Sequence, residues 1–222
     1  MNNPLPFDSE LFGYPVSNWG IDQKWDESEF LKKSNPYQLT YIFSKEKLQI
    51  QDSSIQFVDI KITLEKKVNS PVKSTNIGTY PSMELDSDLE SLAYESGIYS
   101  RFRRDSRLSN GEFRKLYKTW ISEAIKHKHV YITPYLEGML TLSFENEVGN
   151  IGLLAVSKEH QGKGWGRKLL NAAIFFTNEK GIKALKVATQ ELNRQALGLY
   201  SSLGFQEVDR VYIYHYWNPN FS

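Results

Sequence analysis

The stretch His160-Gln161-Gly162-Lys163-Gly164-Trp165-Gly166-Arg167 decides how the rest of this chain is organised. An apolar segment of strand length, Ile151 to Val156, precedes it. Apolar residues with helical spacing follow it, namely Trp165, Leu169, Ala172, Ala173 and Phe176. The glycines are therefore predicted to lie in a turn that ends a strand and opens an amphipathic helix.

Such a turn suits a phosphate or pyrophosphate group. It directs backbone N–H groups at the positive end of a helix dipole towards one place, and glycine lets the backbone approach a ligand closely. Lys163 and Arg167 add positive charge. A dinucleotide-binding G-x-G-x-x-G pattern does not fit the glycine spacing, and a P-loop does not fit because Arg167-Lys168 follow Gly166.

Two motifs carry a resemblance to the GCN5-related N-acetyltransferase (GNAT) superfamily. Gln161-x-x-Gly164-x-Gly166 resembles its Q/R-x-x-G-x-G/A loop, which holds the pyrophosphate of acetyl-CoA. The later run Asn193-x-x-Ala196-x-x-x-Tyr200-x-x-x-Gly204-Phe205 resembles its closing motif. The resemblance implies an α/β protein with a mixed sheet, the GNAT fold, and acetyl-CoA as co-substrate.

A closer resemblance, over nearly the whole chain, is to the TDP-fucosamine (TDP-4-amino-4,6-dideoxygalactose) type of N-acetyltransferase. The segments that carry it are Phe7 to Gly13, Ser100 to Arg103 with Phe113, Tyr117 and Trp120, and Leu185 to Gln190. It implies acetylation of the amine of a nucleotide-linked amino sugar for cell-surface polysaccharide such as lipopolysaccharide. An acetyltransferase for a peptide, polyamine or antibiotic amine, and a catalytically silent CoA-binding module, stay open as alternatives.

The composition of the chain indicates which kinds of partner and location to expect. The chain has 222 residues, enough for one large domain or two small ones, and a net charge of +1 that predicts neither nucleic acid nor a membrane surface as partner. There is no cysteine, which excludes disulfides and a cysteine nucleophile. No apolar run approaches the ~20 residues of a membrane span, and the start lacks a signal-peptide layout. We therefore expect a cytoplasmic protein.

Residues 1–75 are predicted to form a partial GNAT-like α/β unit that contributes to the substrate site. Helices are expected over Asp26 to Lys33 and Lys45 to Gln51, and strands over Tyr37 to Ser44 and Phe57 to Leu64. Residues 65–75 are expected to be a linker, because they carry charge, proline and serine without periodicity.

Residues 76–222 are predicted to form the acetyl-CoA-binding catalytic domain, with the element order βααβββαβαβ. A strand near Ile77 to Met83 is followed by two helices, capped at Asp86 or Ser87 and at Ser109 or Asn110. The aromatic last strand, Val211 to Trp217, could pair with another copy of the chain, so a homodimer is compatible with the sequence.

Cofactor contacts are expected from three places. Backbone N–H groups of Leu154, Ala155 and Val156 would lie beside the pantetheine arm and the thioester, where one could stabilise an oxyanion. The turn would supply the pyrophosphate contacts, from Gln161, Gly162, Lys163, Gly164, Trp165, Gly166 and Arg167. Asn193, a helix cap or a pantetheine contact or both, and Leu199, at a position where the family can carry Arg, complete the set.

The proton donor and acceptor are predicted with unequal support. Tyr200 is expected to be the general acid, because a phenol can give its proton to a thiolate of similar basicity and the resembled family keeps its proton donor there. Its alternative is one more tyrosine on an amphipathic helix. For the general base the resemblance points to Asp59, acting through ordered water, with a solvated strand face as the alternative.

The remaining ionisable residues predict no metal site. No cluster of the four histidines has metal-ligand spacing. His160 is expected on the rim of the pyrophosphate turn, too far along the cofactor to reach the amine. His127 and His129, at a helix-to-strand junction, are expected to have a surface or core role, and His215 lies in the last strand. Arg101, Phe102 and Arg103 are expected to bind the sugar nucleotide, because a diphosphate needs cations and a base needs aromatic surface. A solvated basic loop is the alternative for this cluster.

Overall fold

The computed structural model describes residues 2–21, 24–69 and 76–221. The first six elements, all before residue 70, are β1 (Asn2–Pro4), α1 (Pro6–Phe12), β2 (Val16–Gly20), α2 (Glu27–Ser34), β3 (Leu39–Ser44) and β4 (Ile55–Lys67). The next five, up to the centre of the chain, are β5 (Gly78–Thr79), α3 (Ser87–Ser96), α4 (Arg101–Arg104), α5 (Glu112–Lys126) and β6 (Val130–Ile132). The last six are β7 (Gly138–Glu145), β8 (Val148–Val156), α6 (Trp165–Glu179), β9 (Ala184–Gln190), α7 (Arg194–Ser202) and β10 (Gln206–Trp217), with a 3₁₀ turn at Lys158–His160 after β8.

The described strands join one mixed sheet in the order β1-β2-β3-β10-β4-β9-β8-β7-β6-β5. Parallel pairing occurs at β2–β3 and at β8–β9, and the other pairs are antiparallel. β10 lies between β3 and β4, so strands from both predicted units share the sheet. The division at residue 75 stays a prediction, as does the likeness of residues 1–75 to a partial GNAT unit.

Helices cover both faces of this sheet. Adjacent residues of β7 point to opposite faces: Met139 packs with α3 and α5, whereas Leu140 packs with α6 and α7. A third cluster forms around Phe30 of α2, against Ile42 and Tyr216. The mixed αβ sheet predicted from the sequence is thus confirmed. In the described part of the chain, no helix is long and apolar enough to cross a membrane.

Residues 45–51 are not helical, and the prediction of a helix there is wrong. Side chains rather than a helix take up the backbone N–H groups of this segment. The Leu48 N–H donates to Tyr214 Oη at 2.8 Å, and the Gln51 and Asp52 N–H groups donate to the Glu27 carboxylate at 3.0 and 2.8 Å. These tertiary acceptors stabilise an irregular segment over β3–β10.

The predicted linker is also partly wrong, because residues 65–67 extend β4 and pair with β9. Residues 70–75 of that linker lie outside the described residues. The strand predicted near residues 77–83 is reduced to Gly78–Thr79, and α5 begins at Gly111 in a left-handed conformation instead of at Ser109 or Asn110.

Neither α1 nor β2 was predicted from the sequence. Pro6 opens α1 and Gly13, with φ of 83°, closes it. The last strand begins at Gln206 rather than Val211, and both of its edges are paired within the chain. The idea that β10 pairs with a second copy is therefore wrong.

Because β10 inserts between β3 and β4, the two parts of the chain depend on each other for folding. We expect residues 1–75 and 76–222, produced separately, to lack a cooperative thermal transition, and their mixture to regain one. Circular dichroism melts measure this. A sharp transition for 76–222 alone would show that the C-terminal part folds without its neighbouring strands.

Candidate active site

One side-chain hydrogen bond spans the glycine turn. Gln161 Nε2 donates to the Val156 carbonyl at 3.1 Å, and Gly164, with φ of 82°, is the N-cap of α6. A left-handed φ of this kind strains any residue with a Cβ. The Lys168 N–H donates to the Gly164 carbonyl at 3.1 Å, so the amides from Trp165 to Arg167 have no partner within the helix. The turn therefore presents unpaired donors at the positive end of a 15-residue helix.

Gly166 allows α6 to lie close to α7. A Cβ built there would stand 2.9 Å from Leu199 Cδ2. Leu199, which the sequence predicts beside the cofactor, thus packs against the first turn of α6. Arg167 also joins the two helices, because its Nη2 donates to Ser202 Oγ at 2.8 Å.

β8 and β9 separate half-way along their length. Their pairing ends at Ile151 and Val187, after which β9 continues beside β4 alone. The N–H groups of Leu153 and Ser157 donate towards β7, to Thr141 Oγ1 and the Glu137 carbonyl, each at 2.8 Å. Since successive N–H groups of a strand alternate in direction, those of Leu154 and Val156 point into the gap.

The gap opens into two adjoining cavities. The one beside the glycine turn, called here the cofactor cleft, has a volume of about 540 Å³. The other, called the acceptor cavity, has about 370 Å³ and is lined by Asp59, Arg101 and Tyr200, among others. The residues common to both walls are Ser96, Leu154, Asn193 and Ala196.

Nearly all of the predicted cofactor residues line the cofactor cleft. Those that do are Leu154, Ala155, Val156, Gln161, Gly162, Gly164, Trp165, Gly166, Arg167, Asn193 and Leu199. Lys163 is exposed on the turn and lies outside this wall. His160 lines the cleft as well, with Nδ1 2.8 Å from Ser157 Oγ.

Asn193 is both the cap of a helix and a residue of the cavity walls, so its position is compatible with both of the roles that the sequence left open. Its Oδ1 accepts the Ala196 N–H at 3.2 Å and so caps α7. Its side chain also belongs to the walls of both cavities.

Tyr200 is buried at the acceptor cavity, with 4% of its surface exposed. Burial raises its pKa, so the phenol keeps its proton throughout the physiological range. A thiolate released into the same cavity would also be desolvated and more basic than in water. The residue can therefore act as a proton donor there and not as a base.

Asp59 is buried too, with 3% exposed, so its alternative as part of a solvated strand face is wrong. The pairing of β4 with β10 slips between Ile213 and Tyr214, which face Asp59 and Phe57. Val58 is the extra residue of this bulge. Regular alternation along a strand would put Phe57 and Asp59 on the same face, but the bulge separates them, and Phe57 is 51% exposed.

The environment of Asp59 makes it a weaker acid than usual. Burial raises its pKa to about 6, and Arg101 and Arg104 oppose that rise only in part. Its Oδ1 atom is buried without a hydrogen-bond partner among the described residues. A carboxylate with such a pKa is ionised at neutral pH and basic enough to accept a proton.

The predicted substrate cluster divides in two. Arg101 and Phe102 line the acceptor cavity, and the Arg101 guanidinium carbon lies 4.7 Å from the Tyr41 ring centroid and 4.2 Å from that of Phe102. Tyr41 Oη in turn donates to Asp8 at 2.9 Å. Arg103 is exposed over the Phe113 ring and outside the cavity.

Asp105 anchors this segment to β10, which sequence reasoning missed. It accepts hydrogen bonds from His215 Nδ1 at 2.7 Å, Trp217 Nε1 at 3.1 Å and Arg107 Nε at 2.9 Å. Burial alone would raise the pKa of Asp105, but these donors hold it well below its usual range. Asp105 therefore fixes the end of α4 and, with it, Arg101.

Some of the other residues that line the acceptor cavity were indicated by the sequence and others were not. Tyr117 and Trp120, which the sequence connected with the Arg101 segment, line it. Thr189, which belongs to the segment Leu185 to Gln190 that carries the closer resemblance, lines it too. Lys61 and Thr141 line it without a sequence signal beyond their places in strands. The described residues include no group of three acidic or histidine side chains placed to hold a metal ion.

Comparison with known proteins agrees with this geometry. Residues 96–205 match the model of the acetyltransferase (GNAT) family. A tandem GNAT protein from the clavulanic acid biosynthesis pathway has a TM-score of 0.56 at 13% identity, over 95% of this chain and 77% of that one. PaiA N-acetyltransferase from Thermoplasma acidophilum, in complex with coenzyme A, has a TM-score of 0.52 at 20% identity, over 64% and 98%.

Curated relatives match shorter stretches. N-acetyltransferase 8B of Homo sapiens is 31% identical over 64 residues, which are 29% of this chain and 28% of that protein. The ribosomal protein bS18-alanine N-acetyltransferase of Haemophilus influenzae is 41% identical over 56 residues, which are 25% and 38%. The chain thus spans well under half the length of the curated relatives it matches.

The fold, the turn and these matches all indicate similarity to acetyltransferases. Residues 96–205 are similar to the acetyltransferase (GNAT) family, and the sheet has the fold of solved GNAT proteins. Acetyl-CoA is the co-substrate of that family, and the unpaired amides of the turn and the gap fit its pyrophosphate and pantetheine arm.

Two buried groups should oppose each other in the pH dependence of stability. The pKa of Asp59 rises from 3.8 to about 6 on folding, so stability falls as pH rises through that window. Burial lowers the pKa of His215 from 6.5 to about 4, although Asp105 opposes this, so stability falls as pH drops through nearly the same window. The two effects largely cancel.

Replacing Asp59 should leave the pH effect of His215 on stability without its opposing effect. We expect Asp59→Asn to raise the free energy of unfolding at neutral pH by about 2–3 kcal/mol, with no gain below about pH 4. Urea unfolding across the pH range measures this, with Glu10→Gln, an exposed carboxylate, as the control. An equal gain at acid and neutral pH would contradict the assignment.

Proposed function

We propose that this protein transfers the acetyl group of acetyl-CoA to a primary amine, with Tyr200 as general acid and Asp59 as general base. The carrying observation is that both residues line a cavity adjoining the cleft beside the glycine turn. The shared residues Leu154 and Asn193 mark where a thioester in the cleft would meet an amine in the cavity.

The proton balance follows from the two side chains. Asp59 accepts a proton from the ammonium group, directly or through water, and frees the nitrogen lone pair. That nitrogen forms a bond to the thioester carbonyl carbon, and the carbon–sulfur bond then breaks. Tyr200 donates its proton to the departing thiolate, and the nitrogen gives up its second proton, which restores the Tyr200 phenol through water. No covalent enzyme intermediate is required.

Backbone donors complete the proposed chemistry. The N–H groups of Leu154 and Val156 point into the gap, and one of them would stabilise the carbonyl oxygen as it gains charge. The unpaired amides of the turn would hold the pyrophosphate, with Arg167 beside them. As part of this proposal, the protein is located in the cytoplasm.

For the acceptor we propose a nucleotide-linked amino sugar, of the TDP-amino-dideoxyhexose type, destined for cell-surface polysaccharide. Support comes from Arg101, a cation set among aromatic rings at the cavity wall, which suits a phosphate, and from Phe102 and Trp120 beside it. Residues 1–75 contribute Asp59 and Lys61 to this cavity.

A second candidate is the amine of a peptide. It is favoured by the matched relative named for the alanine of a ribosomal protein. A panel of acceptors with acetyl-CoA, followed by thiol release, separates the two. Turnover with TDP-amino sugars and not with alanine or lysine peptides supports the first, and the reverse pattern overturns it.

Tyr200→Phe should separate binding from chemistry. We expect kcat to fall by about 100-fold, because the leaving thiolate loses its proton donor, while the Kd for CoA stays within about twofold. Thiol release and calorimetry measure the two quantities. Tyr216→Phe, a buried tyrosine of the third cluster, is the matched control. Equal kcat in the Tyr200 variant would remove the acid assignment.

Arg101 and Arg103 form a matched pair for testing the acceptor. Arg101→Gln should raise KM for a TDP-amino sugar by about tenfold or more, because a cation facing the diphosphate is lost, and leave the Kd for CoA unchanged. Arg103→Gln should change neither. Steady-state kinetics with a melting curve for each variant decides the matter. Equal KM for both variants would contradict a role of Arg101 in diphosphate binding.

A further inference from the structure

Thr141 occupies a special place at the separation of β8 from β9. The ladder between β7 and β8 pairs Leu140 with Leu154 and then Leu142 with Ile151. Thr141 alone therefore faces two residues, Gly152 and Leu153, which is a bulge in β8. The bulge begins directly after Ile151, the last residue of β8 that pairs with β9.

The Thr141 side chain replaces a backbone acceptor at this bulge. Its Oγ1 accepts the Leu153 N–H at 2.8 Å in a buried hydrogen bond. A Cβ on Gly152 would stand 2.8 Å from the same oxygen, so the absence of a side chain there leaves room for the hydroxyl. Thr141 is 7% exposed and lines the acceptor cavity.

The direction of the next amide depends on this bond. Because the Leu153 N–H is held towards β7, the Leu154 N–H is turned to the gap, where both cavities meet. Without an acceptor for the Leu153 N–H, the bulge would lose the hydrogen bond that fixes its twist. The Leu154 N–H would then no longer be held in the direction of the gap.

We propose that Thr141 is a positioning residue for acetyl transfer, whose hydroxyl holds the bulge and so aims the Leu154 N–H at the reacting carbonyl. This rests on the proposed function. The hydroxyl acts through the backbone and not by contact with the amine, so its loss should reduce turnover more than binding.

The test compares Thr141→Val, which keeps the shape and removes the acceptor, with Thr141→Ser, which keeps the hydroxyl. We expect the valine variant to lose about tenfold or more in kcat, with KM for the amine and Kd for CoA within about threefold, and the serine variant to stay near wild type. Thr177→Val is the matched control, because Thr177 is a buried threonine bonded to the Ala173 carbonyl within α6. It should lower the melting temperature alone.

Each outcome decides between alternatives. A valine variant with the kcat of the Thr177 control, or a serine variant as impaired as valine, would overturn the proposal. If Thr141→Val does not fold, Thr141→Ala replaces it with the same expectation. If the wild type itself shows no turnover, the proposed function fails, and hydrogen exchange still tests Thr141: unchanged exchange of the Leu153 amide in the variant overturns its role.

Discussion

The parallel ladder between β8 and β9 ends half-way along both strands, and the site depends on that interruption. A sheet normally pairs its N–H and C=O groups with neighbouring strands, and an unpaired buried group costs about 1–3 kcal/mol. Here Leu154 and Val156 direct their amides into open space between the strands. The glycine turn and α6 lie at the end of this gap. One extended ligand with several acceptors would satisfy donors at both places.

Two aspartates show how environment sets the chemistry of one residue type. Asp105 accepts hydrogen bonds from three residues, Arg107, His215 and Trp217, and is a stable anion that fastens α4 to β10. Asp59 is equally buried, yet one of its oxygens has no hydrogen bond among the described residues. The first charge is fully compensated and structural. The second is left under-compensated, a condition that costs stability and is typical of functional carboxylates.

Local signals in the sequence predicted the parts of the site that are local in structure. The turn, the cap at Asn193 and the helix of Tyr200 are each formed within a few residues, so spacing was enough. The burial of Asp59 could not be predicted from the alternation of side chains along a strand, because one extra residue in β4 changes which side chains point inward. The bond between Asp105 and His215 joins residues 110 positions apart, a separation over which no periodicity carries information. Residues 45–51 have helix-forming composition, but side chains from elsewhere, Tyr214 and Glu27, accept the N–H groups of Leu48 and Gln51.

The insertion of β10 between β3 and β4 has a consequence for synthesis on the ribosome. β3 and β4 emerge early, yet the strand that bridges them is the last described element to be made. Until then both carry an unpaired edge, and such edges promote association with other chains. Long-range pairing of this kind slows folding, because a large loop must close first. The nascent chain should therefore keep these two edges exposed until its aromatic final strand is released.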